Sequence, residues 1–144
     1  MCSLDALVKL TPILSFLAAL VAAFWALFIY KSNARRERAR WVENLYSRFF
    51  EKEELKEIRD IVDCDSGDAH VAELVANESS QWTDYLNFFE LVAYLQVSGQ
   101  LEEEDVSALF AYYLGCLKKH KPIIDYISNE SKGFEQLKKL LSKI

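Results

Sequence analysis

The stretch from Leu10 to Tyr30 (LTPILSFLAALVAAFWALFIY) carries no charged side chain, and Lys31, Arg35, Arg36, Arg38 and Arg40 follow almost at once. Its 21 residues, at about 1.5 Å of rise each, make a helix of about 31 Å, the hydrocarbon thickness of a bilayer. A transmembrane helix over 10–31 is expected, behind a short extracytoplasmic tail at 1–9. Thr11 and Pro12 supply a start signal, because proline at the first helical position lacks only an N–H that has no partner there.

The tail holds only Asp5 and Lys9, whereas Lys31 to Arg40 holds five basic residues against Glu37. Lys and Arg near the end of a span favour the cytoplasmic side, so the bulk of the chain is expected in the cytoplasm. A cleaved signal peptide has its basic residues before the apolar run rather than after it, so the segment is expected to be retained. In a reducing compartment Cys64 and Cys116 are expected as separate thiols, and Cys2 as an ordinary one.

Within the span, Ser15, Ala19 and Ala23 form one ridge of small residues, and Ala18, Ala22 and Ala26 form a second beside it. Helices associate in lipid by close packing, which small side chains permit, so homo-oligomerisation through this face is expected. Phe24 and Trp25 are then left to face lipid.

About 104 residues follow Arg40, enough for one compact domain, and a hydrophobic content of 51% argues against disorder. No glycine or proline occurs between Ile13 and Ser66. A nearly continuous helical rod is therefore expected through a juxtamembrane basic segment and coupling helix over 32–62, with Ser32 and Asn33 its weakest point. Trp41, Leu45 and Phe49, widened by Val42, Tyr46, Leu55, Ile58 and Val62, predict its core-facing stripe.

The remainder, 63–144, also reads as helical. The run Asp63–Asp68 is a loop by composition, and a short helix over 69–76 follows. A helix over 80–97 is apolar nearly all round, hence buried, and Gly99 ends it. Acidic residues 102–105 open the next helix, which runs to about Lys119; Pro122 restarts a short one, and Ser131 and Gly133 introduce a last one. No strand signal or repeat competes. The fold class is all-α, a single N-terminal transmembrane helix followed by a compact cytosolic helical bundle.

Asn87 and Glu90 stand three residues apart in the most apolar helix. A carboxylate there requires a partner, such as Arg48 or Arg59, or a solvent-open pocket, so the pair reads as a buried polar tie or a ligand pocket. The charge balance is uneven: residues 41–144 hold 11 basic and 20 acidic side chains, yet residues 117–144 hold seven lysines against three acids. That leaves +4 on the C-terminal segment and −13 on residues 41–116. The densest part of this basic island, Lys118, Lys119, His120 and Lys121, is the candidate anion-binding cluster. Phosphorylated ligands such as a cyclic oligonucleotide, anionic lipid heads, or the acidic face of a second copy suit it.

Asp60, Asp63, Asp65 and Asp68 near His70 lack the glycine and terminal glutamate of a calcium loop, and read as a solvated acidic turn. Neither His70 nor His120 has the closely preceding arginine of the helical Arg-x(4–6)-His ribonucleases. No metal, cofactor or duplex nucleic acid is expected.

The strings RRERARWVENLYSRFFEKEELKEIRDIV (35–62) and YLNFFELVAYLQVSGQLEEEDVSALFAYYL (85–114) resemble an uncharacterised family of small bacterial proteins. The Leu-Asn-Phe-Phe-Glu run and the Gly-x-Leu-x-x-x-Asp-Val after it carry most of that likeness. The resemblance implies an N-terminal span and a helical cytosolic domain at the bacterial inner membrane. One span plus a small domain with a basic patch is also similar in plan to membrane effectors of bacterial antiviral systems, including type III CRISPR effectors that sense cyclic oligoadenylates.

The leading expectation is a non-enzymatic, oligomeric membrane effector whose domain senses an anionic ligand or partner. The alternative is a passive anchor or adaptor holding a partner at the membrane. A membrane-bound hydrolase using Glu90 or His120 is a third reading.

Overall fold

A computed structural model describes residues 2–144, with side chains from Leu14 onward. The side chains of Cys2, Thr11 and Pro12, and Met1 of the expected tail, lie outside the described residues. Seven α-helices and one short 3-10 turn are present among the described residues, with no strand. They divide into two units, 1–39 and 40–144.

Helix α1 (Cys2–Phe50) contains, among the described residues, the one stretch long and apolar enough to cross a membrane. The helical backbone begins at Cys2 rather than at Thr11 and Pro12. Ser3 to Lys9 contains no glycine or proline to stop it, and Pro12 removes a single ladder bond. Nor does the helix break at Ser32 and Asn33. Leu14, Phe16, Phe24, Trp25 and Phe28 are all exposed, and so are Ser15, Ala18, Ala19, Ala22, Ala23 and Ala26.

The rod expected through residue 62 ends early: α1 stops at Phe50, and α2 (Glu53–Ile61) starts after an extended Lys52. No glycine or proline marks the break; its cause is tertiary. The Arg59 guanidinium donates to the Phe49 carbonyl, one of the orphan acceptors at the end of α1, and lies 4.9 Å from the Phe49 ring centre. Turning the chain there lets Leu55 and Ile58 of α2 face the same core as Leu45 and Phe49. Trp41 and Tyr46, expected in the buried stripe, are exposed instead.

Helices α3 (Asp68–Asn77), α4 (Ser80–Val97), α5 (Glu103–Lys119), α6 (Lys121–Ser128) and α7 (Glu135–Lys143) complete the domain. The central one is α4, which buries Trp82, Tyr85, Leu86, Phe88, Phe89, Val92, Ala93 and Leu95. The Ser79 side chain caps it by accepting from Trp82 N at 3.1 Å. Phe49 is fully buried, with its ring centre 4.7 Å from that of Tyr113, 5.0 Å from Phe88 and 5.4 Å from both Phe89 and Phe110. Aromatic contacts of that kind tie α1, α4 and α5 together through one side chain. Burial among them pushes the Tyr85 hydroxyl well above the usual phenol range. Gly99, at φ 72°, ends α4 in the left-handed conformation that glycine adopts without strain.

Candidate functional site

The basic island does not stay together as a patch. Successive positions on a helix point about 100° apart, so Lys118, Lys119 and His120 at the end of α5 diverge. Lys118 is exposed and lines the groove between α6 and α7. Lys119 turns the other way and donates to the Cys64 carbonyl, in the turn between α2 and α3. His120 is buried, 1% exposed. Lys121 is exposed in the first turn of α6.

His120 has both ring nitrogens engaged: Nδ1 is 2.8 Å from Asp68 Oδ1 and Nε2 is 3.0 Å from the Asp63 carbonyl oxygen. Its role in this fold is to hold the 63–68 turn rather than to face a ligand.

The same turn accepts the Tyr112 hydroxyl on Asp63 Oδ2 at 2.8 Å. Asp63 Oδ1 takes the Asp65 N–H at 3.0 Å, and these two bonds hold the Asp63 carboxyl below the usual carboxylate range. Cys64 and Cys116, expected as separate thiols, form a disulfide that joins residues 52 apart. Cys116 lies on the α5 face that meets the turn, which brings the two Cα atoms to 4.6 Å. His70 is exposed and outside these contacts. No metal-ligating cluster of three or more His, Cys, Asp or Glu residues occurs among the described residues.

Asn87 and Glu90 separate as well. Asn87 is exposed in a polar cavity of about 260 Å³ with Arg48, Lys52, Gln81 and Asp84. Glu90 is half-buried, and neither Arg48 nor Arg59 is its partner. Its Oε1 accepts from Gln136 N at 3.0 Å and its Oε2 from Leu137 N at 2.7 Å. These are two of the orphan N–H groups that open α7. The arrangement is a cap supplied from another helix.

A second cavity system lies in the α6–α7 groove. Two cavities of about 360 and 370 Å³ share Ile127, Ser128, Lys138 and Ser142, and so form one trough. Lys118 stands at one end and Lys138 where the two cavities meet, over an aliphatic floor of Ile124, Ile127 and Leu141. Lys139, Glu130 and Glu135 give the other end mixed charge. No ion-pair partner holds Lys118, Lys138 or Lys139 among the described residues, whereas Lys132 is taken by Glu78 and the Tyr126 ring. Sequence spacing singled out Lys118 but missed Lys138. The signal for it was the run Lys138, Leu141, Ser142, which puts a cation, a floor residue and a hydroxyl on one helix face.

No curated protein and no solved structure matches the chain. The family model described as a domain of unknown function, DUF4760, matches residues 13–144, nearly the whole chain, which therefore belongs to that family.

Proposed function

We propose that the protein is a non-enzymatic membrane effector: α1 anchors it, the helical domain faces the cytoplasm, and the α6–α7 groove binds a phosphate-bearing ligand. The observation that carries this reading is that Lys118 and Lys138 line one cavity of a trough floored by Ile124, Ile127 and Leu141. Ammonium groups without partners suit phosphate, and an aliphatic floor suits the apolar part of the same molecule. The basic run from Lys31 to Arg40 supports the orientation. A single-span plan similar to that of antiviral membrane effectors makes cyclic oligoadenylates the first probes, with anionic lipid the second.

The test is calorimetric titration of the full-length protein in detergent with cyclic oligoadenylates and, separately, with short-chain phosphatidylglycerol. Each charge-assisted contact contributes about 1.5–3 kcal/mol, so Lys118→Ala with Lys138→Ala should weaken binding about a hundredfold or more. Unchanged affinity in the double variant overturns the groove assignment. Binding of neither class turns the reading to a passive anchor or adaptor.

A further inference from the structure

Tyr112, Cys116 and Lys119 occupy one face of the C-terminal half of α5, at spacings of four and three, and His120 follows at its cap. Every one of them holds the turn 63–68: Tyr112 through the Asp63 carboxylate, Cys116 through Cys64, Lys119 through the Cys64 carbonyl, and His120 through Asp68 and the Asp63 carbonyl. The disulfide thus sits inside a set of polar contacts that flank it on both sides. Those contacts need no sulfur–sulfur bond, so they keep the two sulfurs near each other when the bond is open.

A cytoplasmic domain meets reducing thiols, which open exposed disulfides. Here the two sulfurs are unequal: Cys64 is half-buried, and Cys116 is 1% exposed. An incoming thiolate therefore reaches Cys64.

We propose that Cys64 and Cys116 form a reversible thiol–disulfide exchange site, opened by cytoplasmic dithiols and closed by a disulfide-bearing oxidant, that latches the α2–α3 turn onto α5. The inference rests on the cytoplasmic orientation proposed above. In opening, a dithiol's thiolate bonds to Cys64 Sγ, the Cys64–Cys116 bond breaks, and Cys116 leaves as a thiolate that takes a proton. The second thiol of the donor then displaces Cys64, forming the donor's own disulfide. Two electrons and two protons pass to the cysteine pair, and closing reverses each step against an oxidised carrier.

The closed latch fixes the turn between two helices that bury Leu55, Ile58, Val71 and Leu74 in the core. The open form leaves it held by the polar contacts alone, and backbone opening there becomes more frequent.

The experiment uses the full chain in its own membrane, with Cys2→Ser so that only the pair reports. Cells are quenched in acid and thiols are labelled with a maleimide polymer, before and after exposure to diamide and after its removal. The expected result is two labels at rest, none under diamide, and two again on recovery. A label count that never changes, whether fixed at two or at none, overturns the exchange site.

Proteinase K added to intact spheroplasts separates this from a failure of orientation. A protected domain with a fixed count rejects the exchange site alone, whereas a digested domain rejects the cytoplasmic orientation and the proposal with it. Hydrogen exchange adds a structural readout: residues 63–68 should exchange about tenfold faster in the reduced protein, and Cys64→Ser should match the reduced form. Equal exchange in oxidised and reduced protein removes the latch.

Discussion

The Glu90 carboxylate of α4 receives the Leu137 N–H of α7 at 2.7 Å, its Oε1 taking Gln136 N beside it. A carboxylate at a helix N-terminus meets both unsatisfied donors and the positive end of the helix dipole. The residue that looked out of place in YLNFFELVAYL therefore docks the last helix onto the central one.

Glu90→Ala should lower stability by about 2 kcal/mol, the sum of a lost cap and a lost dipole contact. Glu90→Gln keeps one acceptor without the charge and should cost about half as much. Thermal unfolding followed by circular dichroism reads both, at about 4 °C or more per kcal/mol for a domain of this size. Equal midpoints for wild type and the Ala variant would remove the cap from the account.

Most of the helices were legible because their signals are local. Gly99, the acidic first turn of α5 and Pro122 all mark ends where the structure has them. The break at Phe50 was not legible, since Arg59 imposes it from across the turn rather than any glycine or proline within it. The site shows the same division. A carboxylate at Glu90 in an apolar helix called for a partner without naming it, because backbone N–H groups have no signature in a sequence, and the spacing to Asn87 misled, since Asn87 lies apart from that contact. His120 stood in a lysine cluster that reads as exposed, yet two acceptors 52 and 57 residues earlier draw it inside. The disulfide was missed for the same reason, as compartment chemistry argued against it while only three-dimensional proximity argued for it.

His120→Ala removes two hydrogen bonds from a buried ring and leaves the Asp63 carbonyl without its donor. A loss of about 2–3 kcal/mol is expected, from a bond to the Asp68 carboxylate of about 1.5–3 kcal/mol and one to a backbone carbonyl of about 1 kcal/mol, offset in part by water reaching the exposed Asp68. His120→Gln carries donors on one nitrogen only and should recover less than half of it. Urea denaturation of the full chain under fixed redox conditions checks the order of the three proteins.

Tyr112→Phe probes the pH response of the turn. The Asp65 N–H and then the Tyr112 hydroxyl lower the Asp63 value, so Asp63 contributes stability above about pH 4 that is lost as pH falls through its lowered value. The bond to Asp63 raises the Tyr112 value, so Tyr112 contributes below about pH 10 and loses it as pH rises through the raised value. In the variant the Asp63 carboxyl should titrate higher than in wild type, yet still below the usual range because the Asp65 N–H remains. Carbon-detected NMR titration of the side-chain carboxyls follows this directly.

If the apolar stretch of α1 spans the membrane and self-associates as proposed from its small-residue ridges, Ala19→Leu with Ala23→Leu should weaken that association, because bulky side chains hold helix backbones apart in lipid. Cross-linking in membranes reads the outcome as a fainter dimer or higher ladder. An unchanged ladder would assign any oligomer to the helical domain alone.

Arg59→Met tests the tertiary stop at the end of α1. Methionine keeps an unbranched apolar stem against Phe49 and Phe50 but has neither the donor to the Phe49 carbonyl nor the charge over the two rings. The bond to a charged donor is worth about 1.5–3 kcal/mol and a cation over a ring about 0.5–1 kcal/mol, so a loss of about 2–3 kcal/mol is expected. The variant should also extend α1, because the Phe49 carbonyl regains a partner only if the backbone continues as helix through Lys52. Amide hydrogen exchange at residues 52 and 53 separates the two effects, with protection rising there while global stability falls; the Glu51 amide already donates to the Ser47 carbonyl. Loss of stability without new protection at 52 and 53 would show that the chain turns at Phe50 for the sake of Leu55 and Ile58 burial, and that Arg59 only follows.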